Sequence, residues 1–295
     1  MSDLLLLPLL VPLAGGLLPL LGWRTGLAVE RGASLAATLA MLAVAIALFA
    51  VAGEGRILVY AVGDWQAPFG ITLVLDRLAA WMILLTSVVA AAAMLFSVGR
   101  SDESGRHFHV LFQFQLMGIY GAFLAADLFN LFVFFEVLLI ASYALLSHGP
   151  GSERTLAAVR VAVLNLLGST VFLFAIACIY SAAGTLNFAD LALRAASLPA
   201  DRLGLWQAGG WLLLVVFALK AALLPLGFWL PGAYGAADGA VAALFSVLTK
   251  VGVVAIIRCY TLIFPGLEVG PVLQVAALGT LALGFTGMLS AGRLS

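Results

Sequence analysis

The stretch Asp127-Leu-Phe-Asn-Leu-Phe-Val-Phe-Phe-Glu136-Val-Leu-Leu-Ile-Ala-Ser-Tyr-Ala-Leu-Leu-Ser-His148 decides how this chain is read. It is an apolar run long enough to cross a bilayer, with a single carboxylate near its middle. An ionised side chain there costs roughly 2.5–3.5 kcal/mol on insertion scales. Such a group persists only with a partner, a proton or water beside it. The question for the rest of the chain is what meets Glu136.

The surroundings are of the same kind. Of 295 residues, 64% are hydrophobic and 9% charged, against roughly 25% charged in soluble domains. Mean hydropathy is +1.17. A soluble core cannot hide this much apolar side chain, so the chain reads as an all-α, polytopic transmembrane bundle. Net charge is zero, which leaves no basic surface for nucleic acid. Cys178 and Cys259 fall inside apolar runs and read as packing residues. No glycine-rich phosphate loop and no metal-ligand spacing occurs, so no cofactor and no metal are expected. The N-terminus, Met1-Ser-Asp3, lacks the basic start of a cleaved signal.

A span needs about 20 mainly apolar residues. Nine runs qualify: 4–21, 32–52, 73–97, 107–126, 128–147, 156–181, 208–230, 239–263 and 271–290. Asp127 is predicted to cap the fifth across a very tight hairpin. Arginines orient the bundle. Arg24, Arg31, Arg100, Arg106, Arg154, Arg160 and Arg293 lie at odd connections; Arg56, Arg194 and Arg202 lie at even ones. The positive-inside rule places the odd connections in the cytoplasm and the N-terminus outside. The second connection, 53–72, reads as an external loop with Trp65 at the interface. The sixth holds a short interfacial helix around 187–194.

The chain has only two lysines, and both lie within spans: Lys220 in the seventh and Lys250 in the eighth. Arg keeps its charge, whereas a desolvated lysine can release a proton near neutral pH. Glu136, Lys220 and Lys250 therefore read as a proton relay on three helices, with coupled titrations. The plainer reading is a structural ion pair of Glu136 with one lysine, which accounts for two groups and not the third. Pro225 cannot donate a backbone hydrogen bond to the carbonyl of Ala221, next to Lys220. With Pro231 it predicts a broken helix, either lining a hydrated gap or simply kinked.

Weaker signals remain. Asn165, Ser169, Thr170 and Thr249 bond across helices or hold water. Asp76 and Arg77 read as an interfacial ion pair, and Arg258 as a side chain that snorkels outward. His107, His109 and His148 read as interfacial, with proton access as the functional alternative. The Phe stripe at 129, 132, 134 and 135 reads as packing surface. Asp127, Thr249 and His148 are accessory candidates for the relay.

The run from Asp127 to Tyr143 closely resembles the fifth helix of the D-type subunit of Mrp-type multisubunit Na+/H+ antiporters. Lys220-Ala-Ala-Leu-Leu-Pro225-Leu-Gly-Phe-Trp-Leu-Pro231-Gly-Ala-Tyr and Leu248-Thr-Lys250-Val-Gly-Val resemble that family's seventh and eighth helices. The wider group includes antiporter-like subunits of respiratory complex I and of membrane-bound hydrogenases. The resemblance implies that Glu136 pairs with Lys220, that Lys220 alternates partners, and that Lys250 lies on a central hydrophilic axis. It implies a secondary-transporter subunit rather than an enzyme, exchanging Na+ for H+ in a bacterial inner membrane with sister subunits as partners. A redox-driven proton pump and a non-transporting remnant are the alternatives.

Two departures stand out. Relatives often carry histidine where this chain has Gly227 and Tyr234, and prolines within 235–240, where it has none. Relatives also have about fourteen helices in two inverted five-helix repeats. The resemblance divides this chain into helices 1–3 (1–106), one five-helix repeat (helices 4–8, 107–263) and a ninth helix (264–295). The second repeat, with its lysine, is not in the sequence, which suggests a fragment, a truncated gene model or a split gene.

Overall fold

In a computed structural model, residues 2–21, 26–65 and 67–290 are described. Arg24 and Arg293 fall outside them. The long helices are α1 (Leu7–Leu21), α2 (Leu27–Gly53), α3 (Arg77–Ser97), α4 (Phe108–Leu124), α5 (Leu128–Leu146) and α6 (Ser152–Ala183). After a short α7 (Phe188–Ala195) come α8 (Leu203–Lys220), a one-turn-and-more α9 (Leu230–Ala236), α10 (Gly239–Arg258) and α11 (Gly270–Ser290). Among the described residues eight helices are long and apolar enough to cross a membrane. The ninth apolar helix, α4, is shorter at 17 residues. The chain is a multi-pass membrane protein.

The expected seventh span is two pieces. It begins earlier than its apolar run suggests, at Leu203, and ends at Lys220; Leu230–Ala236 resumes it after a break. α7 sits where a short interfacial helix was expected. Asn187 caps it, accepting from Ala189 N at 3.1 Å. The second connection is more ordered than a loop. Two strands, β1 (Leu58–Ala61) and β2 (Thr72–Leu75), pair antiparallel with Ala61 opposite Thr72. Their Leu, Val, Tyr and Thr side chains suit a pleated, half-buried surface.

Hydrogen bonds sort the connections to two ends. At one end, Ala126 N donates to Thr72 O at 3.1 Å, Leu128 N to Leu186 O at 3.0 Å and Phe188 N to Ala126 O at 2.9 Å. These stitch together the second, fourth and sixth connections. At the other end, Arg31 pairs with Asp102 at 2.5 Å and Glu103 at 2.8 Å. Ser101 there hydrogen-bonds Asp238, the cap of α10. The odd connections thus share one end and the even connections the other, as a succession of antiparallel spans requires.

α4 lies at the centre, buried on nearly every side and packed against α1, α2, α3, α5 and α10. Its approach to α5 needs Gly118, where a Cβ would lie 2.6 Å from the Leu138 backbone nitrogen. Backbone cannot rotate away as a side-chain tip can. Gly118→Ala is expected to push the two helices apart and cost about 1–3 kcal/mol, as overpacking does; a thermal melt of the purified variant checks it.

Two ion-pair expectations are corrected. Asp76 does not pair with Arg77. It caps α3 through Ala79 N at 2.7 Å and pairs with Arg258 at 2.9 Å. Arg258 does not snorkel out: it is 6% exposed and also donates to Ala125 O at 3.2 Å. Membrane burial of a guanidinium is offset here by a carboxylate and a carbonyl at a helix end. His109, at the odd end in the first turn of α4, is buried and faces Asp102 at 3.2 Å.

Candidate functional site

α8 stops at Lys220 and the chain turns through residues 221–229 before α9. Ala222 adopts φ +55°, a left-handed conformation unusual for alanine that marks a forced reversal. Pro225 lies within this break, with Pro231 in the first turn of α9. The loose ends find partners. Trp229 Nε1 donates to Leu219 O at 2.9 Å, and Leu224 N donates to the Thr280 hydroxyl on α11 at 2.8 Å. The break thus has built-in partners for Leu224 N and Leu219 O, as irregular chain at membrane depth requires.

Lys220 is 4% exposed. As the last residue of α8 it sits where the helix dipole favours a cation. Its Nζ lies 4.7 Å from the centroid of the Phe135 ring, a cation–π arrangement. Among the described residues Nζ has no hydrogen-bond partner. Glu136, the next residue on α5, is half-buried and accepts a hydrogen bond from the Ser169 hydroxyl of α6. Glu136 and Lys220 interact electrostatically without closing to an ion pair. Ser169 holds the carboxylate on one side and Phe135 holds the ammonium on the other.

A cavity opens on Lys220, lined among others by Phe135, Tyr143, Asn165, Trp229 and Tyr234. About 20 Å³ of it is open to water centres, enough for one water, which needs about 10–15 Å³. The ammonium is therefore enclosed by an aromatic face and a space sized for a single water. Phe135, expected only as packing, covers the charge. Its partners Phe172 and Phe217 stand 6.2 and 6.3 Å away and close the site below.

α10 passes directly against the break. A Cβ on Gly252 would lie 2.6 Å from Ala221 N, so only glycine permits this approach. Lys250 is two residues away but on the outer side, and it is exposed. The sequence grouped it with two enclosed charges; among the described residues its ammonium has a 3.4 Å contact to the Thr249 hydroxyl. Helix phase is the reason, since Gly252 faces inward and Lys250 therefore cannot.

Two of the three accessory candidates lie at the ends of the bundle. Asp127 is at the even end, where it caps α5 by accepting from Asn130 N at 2.6 Å. Burial pushes its carboxyl up to about 6. His148 is at the odd end, its ring 5.3 Å from that of Phe108; burial holds its imidazole below the usual range. The third, Thr249, is buried on α10 beside Lys250 and bonds its own helix at Ser246 O. Sequence reasoning missed Trp229 as the partner of a freed carbonyl. An indole a few residues past a broken helix end, between two prolines, was the available signal.

An enclosed lysine at a helix break, beside a glutamate of a second spanning helix, defines a membrane protein with ionisable groups held inside its bundle. The chain belongs to the family described as NADH:quinone oxidoreductase/Mrp antiporter, TM, whose profile matches residues 125–292, more than half of it. It is 46% identical over 269 residues to a probable K(+)/H(+) antiporter subunit of the D type from Rhizobium meliloti (strain 1021), covering 90% of this chain and 50% of that protein. It is 41% identical to the corresponding Na(+)/H(+) antiporter subunit of Alkalihalophilus pseudofirmus, covering 98% of this chain and 59% of that one. The chain thus spans about half the length of the curated relatives it matches. The Mrp complex from Dietzia sp. DQ12-45-1b superposes with a TM-score of 0.81 at 33% identity, covering 90% of this chain and 49% of that one. An archaeal membrane-bound sulfane sulfur reductase superposes at 0.78 and 32% identity, over 88% and 53%.

Proposed function

We propose that this chain is a subunit of a multisubunit monovalent cation/proton antiporter and carries protons past Lys220. The observation that carries the reading is the enclosed Lys220 ammonium, without a hydrogen-bond partner among the described residues, between Glu136 and a water-sized cavity. Lys220 holds the proton in its charged state and Glu136 stabilises that state. When the proton leaves through the cavity, the neutral amine rests against Phe135. Lys250, one helix further on, receives or repels the next charge. The cation exchanged is Na+ or K+, following the names of the relatives.

The exposed faces of α10, with Lys250, and of α11 would then be covered by a second inverted repeat or by sister subunits. Residues 107–263 form the first five-helix repeat in this reading, 1–106 the preceding helices and 264–295 the start of a second repeat. The odd end faces the cytoplasm of a bacterial cell, with the N-terminus outside.

The test is exchange by the complete antiporter in everted vesicles that lack other antiporters. Removing the Glu136 charge disfavours the ammonium form at Lys220, so Glu136→Gln should move the pH profile of exchange toward acid by about one unit. A profile that stays in place would make the Glu136 carboxylate a packing element only. A redox-driven pump is the second reading, favoured by the superposition on the sulfane sulfur reductase. Exchange driven by a cation gradient alone, without electron donor, separates the two.

A further inference from the structure

A second group of enclosed ionisable residues lies at the odd end, among α2, the 98–107 connection and α4. His109, in the first turn of α4, is 0% exposed, and so is Gln113 one turn further on. His109 Nε2 lies 3.2 Å from Asp102 Oδ2. Burial works against the charge on Asp102, but hydrogen bonds from Arg31 and His109 hold its carboxyl below the usual carboxylate range. A carboxylate only accepts, so Nε2 must carry the hydrogen. In the neutral ring Nδ1 is then a bare acceptor, and among the described residues it has no partner.

Gln113 presents a second orphan. Its Nε2 faces Ser34 O at 3.0 Å, Ser34 Oγ at 2.9 Å and Thr38 Oγ1 at 2.9 Å. Three oxygens around one amide nitrogen set the orientation of the group, so Oε1 points elsewhere. Oε1 is also buried without a partner among the described residues. Residues 109 and 113 are i and i+4 on one helix face, where side chains are neighbours. Two enclosed acceptors therefore lie on neighbouring residues of one face, each without a partner among the described residues.

The charges are unbalanced in the same sense. Arg31 bonds both Asp102 and Glu103, so two carboxylates share one guanidinium. Glu103 is more than half exposed to solvent, whereas Asp102 is enclosed. Also facing His109 are Glu30 of α2 and His148 beyond α5; Arg154 and Asp238 in turn face His148.

We propose that His109 is a proton-binding site, held as an imidazolium between the Asp102 carboxylate and the Gln113 carbonyl oxygen. A proton on Nδ1 turns the orphan acceptor into a donor for Gln113 Oε1, directly or through one water. It also places a second positive charge beside the enclosed Asp102 carboxylate. The site is separate from the break at Lys220. It communicates with α10 through Ser101, in the same connection as Asp102, whose hydroxyl bonds the Asp238 cap.

The chain has three histidines, which makes a direct test simple and independent of transport. The full chain in lipid nanodiscs, labelled with ring-15N histidine, is titrated from about pH 4.5 to 9.5 around the ordinary imidazole range. His107→Gln and His148→Gln assign the signals. The expected result is a His109 ring that is doubly protonated at the acid end, with Nε2–H retained as the proton on Nδ1 leaves. Gln113→Glu, which places a charged acceptor opposite Nδ1, should raise its proton affinity by about tenfold or more. Gln113→Met should lower it. An unchanged thermal melt reports that each variant is folded, and Gln113→Met carries the comparison where Gln113→Glu does not fold. A ring doubly protonated over the whole range also supports the site. A ring locked in its neutral Nε2–H form, or a titration that neither substitution moves, overturns it.

Discussion

Lys220→Ala in the complete antiporter is expected to reduce cation-induced proton movement by about 100-fold, the low end of what a positioned proton-transferring side chain contributes. The same variant is expected to fold as well as the parent or better. Lys220 is 4% exposed and its Nζ lacks a hydrogen-bond partner among the described residues, so deleting it removes a buried polar group that stability does not need. The two readouts together separate function from structure. Loss of exchange with a retained or raised melting temperature supports a proton carrier. Normal exchange removes the relay outright. Lys220→Arg is the companion variant: it keeps the charge but holds its proton, so it should fail to restore exchange.

The largest effect on stability is expected at Asp76→Ala. Arg258 is buried and relies on Asp76 and the Ala125 carbonyl. Removing the carboxylate leaves a guanidinium enclosed and uncompensated, which costs about 3–5 kcal/mol. The α3 cap to Ala79 N is lost in the same step. Asp76→Asn keeps the cap and an acceptor and should cost clearly less. Pairing Asp76→Ala with Arg258→Met should recover much of the loss, since an apolar pair of similar volume is often as stable as a buried ion pair. Thermal unfolding of the parent and the three variants in detergent checks the series. A cost below about 1 kcal/mol for Asp76→Ala would mean that Arg258 finds other partners, as surface pairs do.

Parts of this architecture are legible from residues alone. Apolar runs near 20 residues announce spans, and their succession sorts the connections into two sets that the hydrogen bonds keep apart. Pro225 and Pro231 announce the break, because proline removes a donor wherever it stands. Asp127 announces the start of α5 by cap chemistry alone. The hairpin at 58–75 was harder to see, since its strands are four residues each and depend on the neighbouring 125–127 connection for company.

What the residues could not state was which charges meet. The spans are apolar on every side, so no stripe marks the face that turns inward. Partner choice then depends on helix rotation and closeness, which Gly118 and Gly252 set through contacts with Leu138 and Ala221. Gly252 turned toward the break is also why Lys250, two residues away on α10, turns outward. The sequence by itself determined that Glu136 lies in a membrane span and that few groups could answer it, because length, hydropathy and charge are local properties. Only the tertiary structure decided that Ser169 bonds the Glu136 carboxylate and that Lys220 rests over Phe135, because those contacts arise where separate helices pack.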